Sequence, residues 1–368
     1  MMWTRRKVLG TGLMAATAAT LTTPKAIAGV VFSPKPGEWS TYEVTTRMAV
    51  PTHGSPAQAW LPLPSIHEEA WFRSGGDSVT SNGHHTDWHD PQSQARMFHA
   101  TWTGAEPVAV LEVTSRLSLR DRAIDLSKPM GAYKLSEDEQ RRYTTSNDHI
   151  PLEGIVRETS DKIIAASGAK QPIEKARAIY QWMVENTYRE GSVRGCGTGN
   201  IVVLLRSGDI GGKCADLNAL FVGLVRAQGI PARDLYGIRI APSAFGYKSL
   251  GANSSNVTTA QHCRSEVFLA EFGWVPMDPA DVRKVALEES TGHLSIDDPL
   301  VVAARKTLLG AWEGNWMPYN TADLIALPGA KSGTPTFVMY PEAETVAGRL
   351  DCLDSQTFAY TITSKRIA

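Results

Sequence analysis

The chain has 368 residues, which is long enough for two or three domains. Its 42% hydrophobic and 20% charged residues are ordinary for a soluble globular protein. Lysine and arginine total 37 while aspartate and glutamate total 38, so the formal net charge is −1. This balance argues against nucleic acid or an anionic membrane surface as a partner, because both select proteins with a strong basic excess.

The first residues have the pattern of an export signal. Arg5 and Arg6 lie in TRRKVLG, as in twin-arginine signals, and a mildly apolar stretch follows at 8–21. The sequence AIA at 26–28 predicts cleavage after Ala28 and a periplasmic or secreted mature protein. The apolar stretch is too short and too rich in threonine for a stable membrane span, and no other stretch qualifies.

Residues 29–120 predict an N-terminal all-β domain. Tyr42, Val44, Thr46 and Met48 alternate with polar residues, which favours an antiparallel sandwich-like domain. Its histidine-rich stretch NGHHTDWHD lacks the spacing of a metal site, so we expect a solvated loop and no metal.

Residues 121–160 are polar and rich in charge, which predicts a linker with a short helix near 136–143. Further helical patterns follow at 156–166 and from Ile173 to about Tyr188.

A pair of glycines followed at once by a helical pattern marks the centre of the chain. The sequence GGKCADLNALF at 211–221 has apolar residues at steps of three and four, and Gly229 and Pro231 give a stop signal. The glycines predict a tight turn at backbone angles closed to other residues. Cys214 is therefore expected in the first turn of a buried helix, where free N–H groups and the helix dipole favour a thiolate.

Cys214 has two interpretations, a packed core cysteine or a nucleophile. Free cysteine is among the residue types most often buried. A core cysteine does not need two glycines before it, however, and Lys213 adds a positive charge beside the thiol. We therefore favour the nucleophile.

A thiolate nucleophile needs a base, and the base needs an orienting group. His262 opens the alternating stretch HCRSEVFL, which predicts a strand, and Asp278 closes a second predicted strand, GWVPMDP. Neighbouring strands can hold an imidazole beside a carboxylate. The sequence thus predicts Cys214 as nucleophile, His262 as base and Asp278 as orienting acid.

These three stretches resemble the transglutaminase-like superfamily of papain-type cysteine enzymes. The shared motifs are Gly-x-Cys opening a helix that ends in Gly-Ile-Pro-Ala-Arg, then His-x-x-x-Glu-Val-Phe, then Gly-Trp-Val-Pro-Met-Asp-Pro. They cover residues 161–281 in the expected order and imply the same roles for Cys214, His262 and Asp278. The family often has an aromatic residue two positions after the histidine, where this chain has Arg264.

The resemblance implies an α+β fold. Its core at 161–285 packs the nucleophile helix on an antiparallel sheet, between the N-terminal all-β domain and a C-terminal extension at 286–368. Helical patterns at 285–308 and strand patterns at 337–340 and 358–363 predict that this extension braces the core or walls the cleft. Its aromatic residues allow a binding platform or simple packing; they are Trp312, Trp316 and Tyr319.

Two loops are placed near the predicted cleft. The glycine-rich stretch RGCGTGN at 194–200 lines the cleft or is a plain turn. The loop at 242–260, rich in serine, glycine and asparagine, is a mobile flap or an inert surface loop.

The other cysteines are Cys196, Cys263 and Cys352. Cys263 follows His262 on a predicted strand and should point to the opposite face. Pairing of these three cysteines stays open, although Cys196 with Cys263 is one possibility. Glu266 is a candidate neighbour of the site, with an ion pair to an arginine as the simpler alternative.

The predicted residues suit acyl transfer through a Cys214 thioester, without a cofactor. The expected substrates are peptides, proteins or amides, and for an exported protein we favour hydrolysis of a peptide or amide bond in the cell envelope. A protein-crosslinking transglutaminase and a non-catalytic binding or assembly module remain as alternatives. A thiol–disulfide protein is disfavoured because the chain has no Cys-x-x-Cys. The oligomeric state stays open.

Overall fold

The computed structural model describes residues 31–368, so the predicted export signal and its cleavage site lie outside the described residues. No helix in the described part is long and apolar enough to cross a bilayer. Residues 31–368 cluster as one unit.

The N-terminal part is all-β, as the alternation predicts. Its strands are β1 (Ser40–Pro51), β2 (Ala57–Leu63), β3 (Phe72–Ser81), β4 (His84–His89), β5 (Arg96–Trp102) and β6 (Val108–Leu119). The prediction of a solvated loop at the histidine-rich stretch is wrong, because strand β4 occupies this stretch and pairs with β5. Its side chains are nevertheless mostly exposed, since β4 is an edge strand.

The middle of the chain carries most of the helices, close to where the periodicity predicts them. The elements are β7 (Arg122–Ala123), α1 (Glu137–Thr144), α2 (Ile155–Ser167), α3 (Pro172–Asn186), β8 (Tyr188–Arg189), α4 (Ile201–Ser207), β9 (Gly211–Gly212), α5 (Cys214–Arg226), β10 (Ala232–Arg239), a 3₁₀ helix (Lys248–Leu250), β11 (Gln261–Leu269) and β12 (Gly273–Pro276).

The last part begins with two helices, separated by the loop at 289–298, where the sequence pattern was a single helical stretch. Its elements are α6 (Pro279–Glu288), α7 (Pro299–Thr307), β13 (Ala311–Trp312), β14 (Trp316–Asn320), β15 (Glu342–Thr345), β16 (Gly348–Arg349) and β17 (Ala359–Arg366). Each helix has an aspartate N-cap followed by proline, a sequence that favours helix initiation.

Helix α5, which begins at Cys214, forms the centre of the α+β core. All 13 of its residues are buried, which fits its largely apolar sequence. It packs against β10 and β11 of an antiparallel sheet with the strand order β12-β11-β10-β14. This sheet fixes the position of β11, and therefore of His262, relative to the first turn of α5.

The C-terminal strands complete the N-terminal sheets. Strand β17 pairs with β1, giving the order β17-β1-β6-β3, and β15 pairs with β2, giving β16-β15-β2-β5-β4. Buried side chains of both sheets form one apolar cluster that includes Met48, Leu61, Leu111 and Phe358. The N-terminal sandwich thus takes strands from both ends of the described chain, and the domain boundaries given above remain predictions.

Candidate active site

Cys214 is the first residue of α5 and is only 3% exposed. The two preceding glycines are needed for close approach, because a Cβ on Gly211 would lie 2.3 Å from the Tyr188 ring and one on Gly212 would lie 2.6 Å from Asp216 Cβ. Neither glycine has a positive φ, so the prediction of a tight turn at backbone angles closed to other residues is wrong. The two glycines instead form β9, which is parallel to β8. This strand holds the chain just before Cys214.

Asp216 ties the glycine-rich turn to the start of α5. One carboxylate oxygen accepts from the amide of Lys213 at 3.0 Å, and the other accepts from the amides of Thr198 and Gly199 at 2.9 Å. A Cβ on Gly197, at φ +94°, would lie 1.8 Å from this carboxylate. The first residues of this turn line the cleft, which was one of its two expected roles; they are Arg194, Gly195 and Cys196.

His262 lies near the start of β11, beside two carboxylates. Its Nε2 is 3.2 Å from Asp278 Oδ2 and 3.3 Å from Asp281 Oδ1. The His262 carbonyl accepts a hydrogen bond from Trp316 Nε1 at 2.8 Å, which fixes the backbone at His262. The structure thus brings His262 and Asp278 together, as the sequence predicts, and adds Asp281.

Asp278 is not the end of a strand, because β12 ends at Pro276. It is the N-cap of α6, and its Oδ1 accepts from the Asp281 amide at 3.0 Å and from Asn218 Nδ2 at 3.3 Å. These bonds leave Oδ2 directed at His262. An aspartate followed by proline is a helix-start signal that would have placed both carboxylates in one turn.

Three side chains lie close enough to the thiol of Cys214 to lower its pKa; they are Cys196, Cys263 and His262. Cys196 and Cys263 are both free thiols in the structure, as is Cys352. The alternation of β11 predicts that Cys263 turns away from the cleft, and the cleft lining includes His262 but not Cys263, although the Cys263 thiol still helps to lower the pKa of Cys214.

Hydrogen bonds from these neighbours stabilise a thiolate. The bond from Cys196, then that from Cys263, and then His262 lower the pKa of Cys214 well below its ordinary value, although burial opposes this shift. The bond to Cys214 and burial raise the pKa of Cys196, so it stays a protonated donor. Cys214, and not Cys196, is thus the cysteine that ionises more readily.

His262 is held as an imidazolium. Burial and the charge of Arg239 lower the pKa of His262, but Asp281 and Asp278 outweigh them and raise it to about 9. Burial opposes ionisation of Asp281, but Arg239 and His262 hold the pKa of Asp281 well below its ordinary value. Burial and the nearby Asp281 raise the pKa of Asp278. Asp281 is therefore the carboxylate that stays ionised more readily beside the imidazole.

The ligand atoms of His262, Asp278 and Asp281 lie within 4.8 Å of one another, a grouping that could hold a metal ion. The direct contacts between imidazole and carboxylates already account for this grouping.

Arg264 and Glu266 serve the core beneath the site. The Arg264 guanidinium lies 5.1 Å from the Trp312 ring and 5.0 Å from the Trp316 ring, and it is fully buried. Glu266 is fully buried and forms ion pairs with Arg122 and Arg233. The arginine pairing considered for Glu266 is therefore confirmed.

The aromatic residues of the C-terminal extension do not form an open platform. Trp312, Trp316 and Tyr319 are all at most 3% exposed, so they pack in the interior.

A cleft of about 830 Å³ opens above Cys214 and His262. The loop at 242–260 supplies one wall through its second half, and the C-terminal part supplies Tyr340, Phe358 and Tyr360. The extension therefore walls the cleft, which was one of its two expected roles. The mobile flap expected at 242–260 stays a prediction.

Comparison with known proteins identifies the family. The family model described as the transglutaminase-like superfamily matches residues 157–279. An uncharacterized protein of Haemophilus influenzae is 36% identical over 352 residues, covering 89% of this chain and 91% of its own length.

Solved structures of similar shape include a candidate cysteine protease from Cytophaga hutchinsonii, 14% identical with a TM-score of 0.47, covering 90% of this chain and 99% of its own. Another is the periplasmic domain of TgpA from Pseudomonas aeruginosa, 16% identical with a TM-score of 0.32, covering 68% and 89%. The assignment rests on the sequence matches and not on these distant likenesses. The chain belongs to the transglutaminase-like superfamily.

Proposed function

We propose that the protein is a cysteine hydrolase that cleaves a peptide or amide bond through a Cys214 thioester. The observation that carries the proposal is that Cys214 and His262 line the same cleft, with the His262 imidazole held against Asp278 and Asp281. A lowered thiol pKa beside a raised imidazole pKa gives a thiolate–imidazolium pair at neutral pH.

The reaction follows from this pair. The Cys214 thiolate attacks the substrate carbonyl, and His262 gives its proton to the leaving amine, so the C–N bond breaks and a thioester forms. His262, now neutral, takes a proton from water, and the resulting hydroxide attacks the thioester and releases the acid. The Cys214 amide lies in the first turn of α5, where amides have no helical acceptor, and it is our candidate oxyanion donor.

Location supports hydrolysis over crosslinking. The twin-arginine pattern and AIA site predict export, and we place the enzyme in the periplasm or outside the cell, acting on the cell envelope. Water is the acceptor that every such compartment supplies. A crosslinking reaction would replace water by an amine in the second step, with the same thioester.

Limited alkylation with iodoacetamide tests the nucleophile. We expect Cys214 to be labelled selectively at pH 6, as mapped by mass spectrometry. Cys352 is the internal control, because burial and Glu342 raise its thiol pKa to about 12. Equal labelling of the two cysteines would refute an activated thiolate, and labelling of Cys214 that is unchanged in His262→Ala would refute activation by His262.

A second experiment tests the acceptor. A peptide library is incubated with the mature protein, with and without a small primary amine, and the products are identified by mass spectrometry. Hydrolysed bonds that need Cys214 support the hydrolase. Products that carry the amine support crosslinking, and absence of both in a protein with selectively alkylated Cys214 supports a binding module.

A further inference from the structure

The ionisable side chains that line the cleft are strongly unbalanced in charge, although the whole chain is nearly neutral at −1. Apart from its cysteines, its tyrosines and His262, they comprise Arg189, Arg194, Lys213, Arg239, Lys284 and a single carboxylate, Glu288. A neutral protein that gathers its cations in one cleft attracts anions to that cleft.

Some of these cations are neutralised within the protein. Arg239 pairs with Asp281 of the site at 2.5 Å, and Arg194 pairs with Asp351 at 2.7 Å. They hold their carboxylate partners in place and leave little charge for a ligand.

The other cations leave an excess of positive charge. Glu288 is shared by Arg189 and Lys284, so one carboxylate faces two cations. Lys213 is only half-buried, and within residues 31–368 no carboxylate oxygen comes within 4.0 Å of its amine. Hydrogen bonds from Ser192 and the nearby charge of Lys213 lower the pKa of the Glu190 carboxyl, so Glu190 offsets part of the charge of Lys213. Between about one and two positive charges therefore remain on this wall of the cleft.

The excess charge lies beside the nucleophile. Lys213 directly precedes Cys214, and Arg189 is the β-strand partner of Gly212 in the short parallel pair. A substrate whose carbonyl reaches Cys214 must therefore pass this wall. Neighbouring residues of an extended peptide are at most about 3.6 Å apart, so a lysine side chain here reaches only residues close to the scissile bond.

We propose that this wall is an acidic subsite, and that the preferred substrate is a peptide with a carboxylate side chain within two residues of the scissile amide. Lys213 binds this carboxylate, and the pair of Arg189 and Lys284 around Glu288 supports the binding. The inference deepens the proposed hydrolase and rests on it for the identity of the bond that is cleaved.

Binding to the inactive Cys214→Ala protein tests the subsite without any need for turnover. Two pools of heptapeptides with amidated C termini differ in one fixed residue, Glu in one pool and Gln in the other. We expect the Glu pool to be retained about threefold to fivefold better on immobilised protein, the size of one partly exposed charge pair. The preference should shrink as salt is raised, because such charges are screened.

Variants of Lys213 locate the effect. Lys213→Gln should abolish most of the preference for the Glu pool, while Lys213→Arg should keep it. The matched control is Lys162→Gln, which removes an exposed lysine of α2 away from the cleft. Thermal denaturation should show all three variants folded, since neither lysine is fully buried.

The outcomes separate the two proposals. Equal retention of the two pools, or a preference unaffected by Lys213→Gln, overturns the acidic subsite whether or not the active protein cleaves peptides. A preference for the Glu pool that depends on Lys213, without any cleavage by the active protein, supports the subsite and refutes the hydrolase.

Discussion

Asp281 should control the protonation of His262, although it was not among the predicted catalytic residues. Its Oδ1 lies 3.3 Å from His262 Nε2. Coulomb's law with an effective dielectric constant near 20 gives about 5 kcal/mol for unit charges at this distance, as an upper figure. Asp278 remains and offsets part of the loss, so we expect Asp281→Asn to lower the pKa of His262 from about 9 by at least about one unit.

The assay is a ¹³C NMR titration of histidine-labelled protein, with the His262 signal assigned by its absence in His262→Gln. The matched control is Asp351→Asn, which also breaks an aspartate–arginine pair at the cleft but whose partner, Arg194, is not one of the cations that shift His262. This control should leave the His262 midpoint unchanged. A midpoint in Asp281→Asn within about 0.3 unit of the wild type would refute the assigned role.

Asp281→Asn also leaves Arg239 buried without its partner, which costs about 3–5 kcal/mol of stability. The double variant Arg239→Gln/Asp281→Asn removes that unpaired charge and keeps the test possible if the single variant does not fold. The fall in the His262 pKa should be smaller in the double variant, because Arg239 itself lowers that pKa.

Three further predictions concern stability. Gly197→Ala should lower the free energy of unfolding by about 2–4 kcal/mol in urea denaturation, because its Cβ would meet Asp216, whereas Gly168→Ala, at φ +69° in open space, should cost only about 1 kcal/mol. Glu266→Gln should cost about 3–5 kcal/mol because buried Arg122 loses its carboxylate and buried Arg233 keeps only Glu68; an unchanged thermal midpoint would contradict the pairing. The pKa of His262 is raised from 6.5 to about 9, so its contribution to stability is complete below pH 6.5 and is lost as pH rises through 9; denaturation curves of His262→Gln should lack this alkaline loss.

The local elements of the site could be read from the sequence. Steps of three and four residues placed α5 with Cys214 in its first turn, and alternation placed His262 on a strand. Both patterns arise because a helix or a strand repeats its buried face at a fixed period. The order of the three motifs also identified the family, which the family model over residues 157–279 confirms.

Two of the predictions that failed involved glycines and a helix cap. Gly211 and Gly212 are required by the neighbouring side chains of Tyr188 and Asp216, not by their own backbone angles. Asp278 caps α6 and does not end a strand. A position can require glycine either because its backbone angles exclude other residues or because a neighbouring side chain leaves no room for a Cβ. Only the tertiary contacts show which of the two applies.

Tertiary structure alone decided which distant groups meet. Asp281 and Arg239 flank His262, and Cys196 reaches Cys214, because the core sheet and α6 bring together segments far apart in sequence. Strand β17 pairs with β1 across more than 300 residues, as in the register Tyr42 with Arg366. Periodicity determines which face of a segment is buried, but the partner of that face is selected by the packing of the whole chain. The sequence by itself therefore determined the nucleophile helix and the histidine strand, while the second carboxylate and the charge of the cleft were decided by the fold.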